Sequence, residues 1–293
     1  MASVQDLKRR VRSLQNTRKL TRAMELVASA RLRRAQQRIE AMRPYADRML
    51  ELMGGTAQAA GAVRLPLLER RETVQTVALV PITGDRGLAG AFNAQVLRRA
   101  FALAREAQAA GQRVRFYPSG KKGQSTVRFR RLELSQSWTG FSDKPAYADA
   151  QAIAHVLAEA YVAGEVDRVL VVYNAFVSPL VQTVTVSEVL PIPTSVLEGA
   201  ADEPRHPVDF FFEPEPRQIL ERLLPVYVET ELYRALLESA ASEQGARMTA
   251  MRNASQAAGE LIDTLTLAMN RARQAEITQE ILEVVAGADA LTQ

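Results

Sequence analysis

The sequence has 293 residues, of which 47% are hydrophobic, and a formal net charge of +4, values that suit one or two globular domains. It contains no cysteine, which excludes disulfides, thiolate catalysis and cysteine-ligated metals. No apolar run approaches the roughly 20 residues of a membrane-spanning helix, and the first residues show no apolar signal region. We therefore expect a soluble protein, although it could still sit on a membrane complex.

The N-terminal segment, residues 1–58, is predicted to form one long helix. Its only proline is Pro44, and its only glycines are Gly54 and Gly55. Apolar residues recur at steps of three and four, which places them on one helical face. They form two stripes: Val4, Leu7, Val11 and Leu14, and then Leu32, Ala35, Ile39, Met42, Ala46, Met49 and Met53. The pattern breaks at Arg18 and Thr21, and we interpret the break as a phase shift in a coiled-coil seam.

This N-terminal helix is strongly basic. Residues 1–48 contain 13 basic and 4 acidic side chains, a net charge of +9. A basic run is one signal for nucleic-acid or lipid binding. Here the run shares its helix with the coiled-coil stripe, and no aromatic residue occurs before Tyr45. The sequence therefore does not favour a nucleic-acid partner.

Residues 70–207 alternate predicted strands and helices. Strands are expected at 74–82, 113–117, 168–177 and 180–190, with a possible short strand at 127–132, and helices at 94–110 and 147–163. The order strand, turn, helix, strand is typical of a parallel α/β unit. Residues 191–207, rich in proline, glycine and acid, are expected to form a loop. We therefore predict a Rossmann-like α/β domain between two terminal helices.

Two glycine-containing turns in this domain are candidate anion sites. Residues 84–90 (GDRGLAG) follow a predicted strand, but they match neither G-x-G-x-x-G nor the P-loop pattern. A structural turn is therefore favoured over a nucleotide site. Residues 120–123 (GKKG) are better explained as a solvated hairpin turn. The two histidines, His155 and His206, have no evident catalytic or metal-binding partners in the sequence.

The C-terminal segment, residues 208–287, is predicted to form a second long helix. Residues 209–286 contain 7 basic and 13 acidic side chains, a net charge of −6. Pro225 should kink this helix or begin it anew, because proline lacks the N–H and clashes with the preceding turn. The stripe with coiled-coil spacing contains Met251, Ala254, Ala258, Leu261, Leu265, Ala268, Ala272, Ala275, Leu282 and Ala286. We predict that it pairs antiparallel with the basic N-terminal helix.

Four stretches, in matching order and spacing, resemble the gamma subunit of F-type ATP synthases. They are NTRKLTRAMELVASARLRRAQ (residues 16–36), TGDRGLAGAFN (83–93), TELYRALLESAASEQGARMTAMRNAS (230–255) and NRARQAEITQEILEVVAGADAL (270–291). The last is the most specific. The family commonly has a cysteine where Ala89 stands, and the cysteine-bearing insert of the chloroplast form is absent.

The resemblance implies a central rotor shaft that has no catalytic site, cofactor or metal of its own. In this family the paired terminal helices stand inside a ring of three alpha and three beta subunits. The α/β domain binds epsilon and rests on the membrane c-ring. One copy per complex transmits the rotation that proton flow drives in the c-ring to the catalytic beta subunits, for ATP synthesis or hydrolysis. The implied location is the cytoplasmic face of the bacterial plasma membrane, with membrane contact only through the c-ring.

The resemblance also implies which residues bind partners. Those expected to contact the alpha/beta ring are Met24, Arg247, Arg273, Gln274, Thr278, Glu280 and Glu283. Those expected to contact the c-ring and epsilon are Phe210, Phe212 and Glu213. A different class of protein, a non-catalytic coiled-coil scaffold, is the alternative, and co-purification with alpha, beta and epsilon would distinguish the two.

Overall fold

The computed structural model describes residues 3–61, 64–198 and 213–292. Two long helices, α1 (Val4–Ala60) and α6 (Pro216–Thr292), flank the remaining elements in sequence. The chain divides into two compact units. We call Met1–Ala28 with Met248–Gln293 the terminal unit, and Ser29–Arg247 the sheet unit. The predicted fold class, two long terminal helices with an α/β domain between them, is confirmed.

The sheet unit contains a sheet whose described strands lie in the order β2-β1-β3-β4. Strand β1 is parallel to β2 and β3, whereas β4 is antiparallel to β3. The elements are β1 (Thr76–Pro81), α2 (Phe92–Ala109), β2 (Arg113–Phe116), α3 (Lys121–Phe129), α4 (Tyr147–Val162), β3 (Arg168–Phe176), β4 (Gln182–Leu190) and α5 (Thr194–Glu198).

Strand β1 is buried on both faces, as its continuous apolar run TVALVP requires. Successive residues of a strand point to opposite faces. Ala78 and Val80 belong to a core that includes residues of α4, α1 and α6. Val77 and Leu79 belong to the other core, built with α2, β2 and α3. Helices therefore cover both faces of the sheet.

Two predictions from the sequence are wrong in the region of helix α3. Residues 120–123 were expected to form a hairpin turn and 127–132 a strand, but α3 occupies Lys121–Phe129. Gly120 enters the helix with φ of 94°, a conformation that favours glycine. The buried hydroxyl of Thr83 accepts a hydrogen bond from the Gly123 N–H at 2.8 Å and so satisfies a donor of the first turn. Only Gly123 and Val127 of this short helix are buried, too few for a periodic signal.

The seam of α1 keeps one register along the helix, so the predicted phase shift is wrong. Thr21 and Glu25 are buried, with 8% and 5% exposure. Thr21 lies seven residues after Leu14, and Glu25 and Ala28 follow at steps of four and three, so the heptad spacing is kept although the intervening Arg18 is exposed. The sequence pattern breaks because the polar residues Arg18, Thr21 and Glu25 occupy seam positions, not because the register changes.

Helix α6 does not begin anew at Pro225, because the helix starts at Pro216 and continues through that position. Pro225 and Glu221 are both exposed. The carbonyl of Glu221, four residues earlier, is the one that a proline leaves without its helical donor. On an exposed face of the helix, water can satisfy it.

The two helices of the terminal unit pair antiparallel, as predicted. Glu25 contacts Arg252, and the Arg18 guanidinium lies 3.7 Å from where a Cβ at Gly259 would stand. Residue numbers therefore fall along α1 as they rise along α6. Ile262, with 8% exposure, is buried in place of the expected Leu261, which is 51% exposed. A helix of 3.6 residues per turn drifts away from a strict 3.5-residue repeat, which accounts for the difference.

Candidate functional site

The carboxylate of Asp143 joins both long helices to loops of the sheet unit. Its Oδ2 accepts a hydrogen bond from Nη1 of Arg31 on α1 at 2.7 Å. Its Oδ1 accepts one from Nε2 of Gln244 on α6 at 2.9 Å. The guanidinium groups of Arg247 and Arg86 approach it to 3.9 and 4.0 Å. One side chain thus links α1, α6 and the loop that follows β1.

Beside Asp143, Glu243 and Arg247 form an ion pair on α6. Their side chains are only 1% and 9% exposed, and the guanidinium donates directly to the carboxylate. Burial raises the pKa of Glu243, and the charge of Arg247 opposes that rise. Removing either partner would leave a charge buried, which is costly.

The loop at residues 84–90 is filled by groups of the chain itself. A Cβ at Gly84 would lie 2.8 Å from the carboxylate of Glu243. The Asp85 carboxylate accepts hydrogen bonds from the N–H groups of Lys121, Gly140 and Ser142 at 2.8–3.2 Å. Two carboxylates at this loop would repel a phosphate. The structure therefore supports a structural turn here over a nucleotide site.

In the terminal unit, Glu25 is the buried charge of the helix pair. It accepts hydrogen bonds from Arg252 at 3.0 Å and from Arg22 at 2.8 Å. Burial disfavours its ionised form, but these two arginines outweigh burial and hold the pKa of Glu25 below its usual value. Glu25 is therefore ionised at neutral pH, and its hydrogen bond with Arg252 links α1 to α6.

The last part of α6 is exposed along its whole described surface. All side chains from Arg273 to Ala286 are exposed, including Ala275, Leu282 and Ala286, which the sequence placed in the seam. The physical reason is the length of α1. If the antiparallel register of Glu25 with Arg252 continues, the start of α1 at Val4 lies opposite about residue 273. The seam therefore lacks a described counterpart beyond that point.

The predicted partner-binding residues have different surroundings. Met24 is half-buried in the terminal unit, and Glu213 is exposed. Arg247 is buried against the chain's own groups. The remaining predicted residues on α6, Arg273, Gln274, Thr278, Glu280 and Glu283, are clustered along the exposed final part of the helix. Phe210 and Phe212 lie outside the described residues.

Sequence reasoning missed the residues that hold these contacts together. Asp143 and Arg31 are separated by 112 positions, and Glu25 and Arg252 by 227. Long-range ion pairs leave no periodic signal. The clue in the sequence is Glu25 itself, a carboxylate four residues after the break at Arg18 and Thr21 in an otherwise apolar stripe.

The described ranges meet neither the requirements of a metal site nor those of a membrane-spanning helix. None of their histidine, aspartate and glutamate side chains forms a group of three placed to hold a metal ion. In the same part of the chain, no helix is both long and apolar enough to cross a membrane.

Known proteins are similar in sequence to this chain over nearly its full length. The family model described as ATP synthase matches residues 3–291. The ATP synthase gamma chain of Rubrobacter xylanophilus is 47% identical over 291 residues, which cover 99% of both chains. The chain belongs to the ATP synthase gamma chain family. Another member of that family, from a Nostoc species, is 43% identical over the full length of both chains.

Solved structures agree with this gamma family assignment. The central stalk/c-ring structure of the Tetrahymena thermophila mitochondrial ATP synthase contains a chain that is 28% identical, with a TM-score of 0.61. The match covers 80% of this chain and 99% of that one. A rotor chain of the Euglena gracilis enzyme, 16% identical with a TM-score of 0.67, shares the fold. The gamma resemblance predicted from sequence is confirmed, and the chain is the central stalk subunit of an H+-transporting ATP synthase.

Proposed function

We propose that this chain acts as the rotating shaft through contacts made by the exposed final part of α6. That part carries the predicted ring-contact residues Arg273, Gln274, Thr278, Glu280 and Glu283. The proposal depends on one observation, namely that α6 extends past its antiparallel pairing with the described part of α1.

The exposed surface of this extension is apolar as well as polar. Five large aliphatic side chains are 47–71% exposed on its last described turns, namely Ile277, Ile281, Leu282, Val284 and Val285. Contiguous exposed apolar surface on a soluble protein marks a binding site for a partner. A ring of other subunits around α6 would cover this surface and would still allow the contacts to change as the shaft rotates. Surface ion pairs contribute only about 0–1 kcal/mol each, so individual contacts can break in every turn.

The proposed partners are three alpha and three beta subunits around the terminal unit, together with epsilon and the c-ring. Residues 1–58 and 208–287 would form the shaft, and residues 70–207 the globular domain. Met24 would contact the ring directly. Arg247, which is buried, would act by fixing the geometry of α6. Phe210, Phe212 and Glu213 would contact the c-ring and epsilon.

The proposed location is the cytoplasmic face of a bacterial plasma membrane, where one copy per complex would be held peripherally through the c-ring. The high identity to bacterial gamma chains supports this location. The Asp143 cluster, in which Asp143 contacts Arg31, Gln244, Arg247 and Arg86, suits the shaft role. It fixes the parts of α1 and α6 within the sheet unit to the loops of that unit, and a rotor needs such a connection to transmit torque.

Affinity purification of the full-length chain from its own cells tests the proposal. Quantitative mass spectrometry should recover alpha, beta and epsilon at a fixed ratio of three, three and one per chain. A variant with Ile277, Ile281 and Leu282 changed to serine should retain epsilon and lose alpha and beta. Recovery of unrelated partners without alpha and beta would favour a coiled-coil scaffold instead.

A further inference from the structure

A strongly basic segment in the sheet unit has no role in the shaft described above. Residues 92–131, which include α2, β2 and α3, contain 10 basic side chains and one acidic one, a net charge of +9. The acid, Glu106, pairs with Arg99 at 3.3 Å. The whole chain carries only +4, so positive charge is concentrated in this segment, although Arg115 pairs with Glu133 and Glu165 from outside it.

Within this segment, helices α2 and α3 border a groove of about 340 Å³. Its apolar wall is formed by Ala94, Leu97 and Phe101 of α2. Three arginines line it, Arg98 and Arg105 from α2 and Arg130 from the end of α3, together with Thr126. No carboxylate lines the groove. In the described ranges, the side chains of these three arginines have no hydrogen bond or ion pair.

The arginines are arranged for an extended anion. Arg98 and Arg105 are seven residues apart on α2, which separates them by about 10 Å along the helix. The guanidinium carbon of Arg130 lies 4.2 Å from the centre of the Phe101 ring, a cation–π contact that restrains the side chain before any ligand arrives. Guanidinium groups bind phosphate oxygens through two parallel hydrogen bonds. An anion with several phosphate groups would let each arginine contact a different phosphate.

We propose that the α2–α3 groove binds an anion that carries two or more phosphate groups. The ligand chemistry is a polyphosphate chain, or adjacent phosphate headgroups at a membrane surface. Because the side chains of Arg98, Arg105 and Arg130 make no hydrogen bond or ion pair with the described residues, binding breaks no existing ion pair. The groove does not include the loop at residues 84–90. At that loop the carboxylates of Glu243 and Asp85 would repel a phosphate.

The test uses the full-length chain and inorganic triphosphate in titration calorimetry at low ionic strength. Arg98→Gln, Arg105→Gln and Arg130→Gln combined should weaken binding at least tenfold. The control combines Lys121→Ser, Lys122→Ser and Arg128→Ser, which removes three charges from the same basic segment but not from the groove. The control should change affinity less than twofold, and both variants should keep the wild-type melting temperature.

A second arm measures sedimentation with phosphatidylglycerol vesicles, with phosphatidylcholine vesicles as the neutral reference. Groove-dependent binding of triphosphate alone identifies a free polyphosphate as the ligand, and groove-dependent binding of anionic vesicles alone identifies lipid headgroups. Equal losses in the groove and control variants would show general electrostatic attraction and overturn the proposal. Absence of binding in both arms would overturn it as well.

Discussion

Arg252 Nε donates a hydrogen bond to Glu25 Oε1 at 3.0 Å, across 227 positions of the chain. The Glu25 side chain is 7% exposed, whereas that of Arg252 is 55% exposed. The carboxylate is thus buried in the seam and its partner reaches it from the solvent side. This arrangement favours one register of the two helices, because a shift of either helix would leave the buried carboxylate with Arg22 of its own helix as its remaining partner.

Changing Glu25 to alanine should loosen the helix pair of the terminal unit. A hydrogen bond to a charged group contributes about 1.5–3 kcal/mol, and we expect the lower part of that range because Arg252 is partly solvated. Hydrogen exchange of the backbone amides in residues 4–28 should then accelerate about tenfold, since about 1.4 kcal/mol corresponds to that factor. Mass spectrometry of peptides from this region measures the change.

The matched control is Glu260→Ala, at an exposed position of α6. It should leave exchange in residues 4–28 unchanged. Peptides from α2 should exchange at the same rate in both variants, because α2 belongs to the sheet unit. Unchanged exchange in Glu25→Ala would show that the hydrogen bond does not contribute to stability.

The same carboxylate should make the terminal unit sensitive to acid. The folded-state pKa of Glu25 is lowered, so its contribution to stability is complete above its unfolded-state pKa of about 4.3. That contribution is lost as pH falls through the folded-state pKa. Exchange in residues 4–28 should therefore accelerate relative to intrinsic rates as pH falls from about 5 through the lowered folded-state pKa. Glu25→Gln should reduce this acid dependence, and an identical pH profile in the two proteins would contradict the assignment.

The cluster around Asp143 should stabilise the sheet unit. Asp143→Ala leaves Gln244 and Arg247 buried with fewer partners and releases Arg31 from its 2.7 Å contact. We expect a loss of about 1–3 kcal/mol in the free energy of unfolding. Trp138, the only tryptophan of the sequence, lies in this unit and reports the transition by fluorescence in urea.

Asp47→Ala is the control for Asp143, because Asp47 is an exposed aspartate of the same unit. It should change the free energy of unfolding by less than about 0.5 kcal/mol. In the assembled complex, Asp143→Ala should also lower ATP-driven proton pumping more than ATP hydrolysis, if the cluster passes torque between sheet unit and helices. Equal loss of both activities would contradict that role.

Two glycines of the loop after β1 should respond differently to the same substitution. A Cβ at Gly84 would stand 2.8 Å from the Glu243 carboxylate, whereas one at Gly87 would meet only the Lys122 side chain, at 3.9 Å. Gly84→Ala must displace the Glu243–Arg247 pair and should cost about 1–3 kcal/mol. Gly87→Ala should be nearly neutral. Trp138 fluorescence in urea compares them, and equal stabilities would show that Glu243 can move freely.

The sequence predicted the long helices, their antiparallel pairing and the α/β domain because these depend on periodic patterns. The predictions from sequence were wrong where a few individual residues determine the local structure. The polar seam residues Thr21 and Glu25 imitated a phase shift, and α3 is too short to show helical periodicity. The Asp143 cluster was also not predictable, since its members meet only after the sheet and both helices are in place. Local pattern therefore indicates the elements, and long-range polar contacts become visible only in the fold.

Arg273 and Gln274 provide the sharpest test of the shaft, because they lie where α6 leaves its pairing with α1. Both side chains are exposed, and neighbours on a helix point about 100° apart, so together they can reach two groups on one beta subunit. A charge-assisted hydrogen bond contributes about 1.5–3 kcal/mol. This is small enough to break in each turn and large enough to favour one angular position.

Arg273→Leu combined with Gln274→Leu should therefore leave the complex with alpha and beta assembled but lower its steady-state ATPase rate severalfold. The control, Gln112→Leu with Arg113→Leu, removes the same two residue types from the sheet unit and should keep the wild-type rate. Turnover is measured at saturating Mg-ATP after gel filtration has shown equal subunit ratios, so that lost assembly is not mistaken for lost catalysis. If the two variants turn over equally fast, Arg273 and Gln274 do not stabilise any angular position of the shaft. The exposed end of α6 then acts only by its shape.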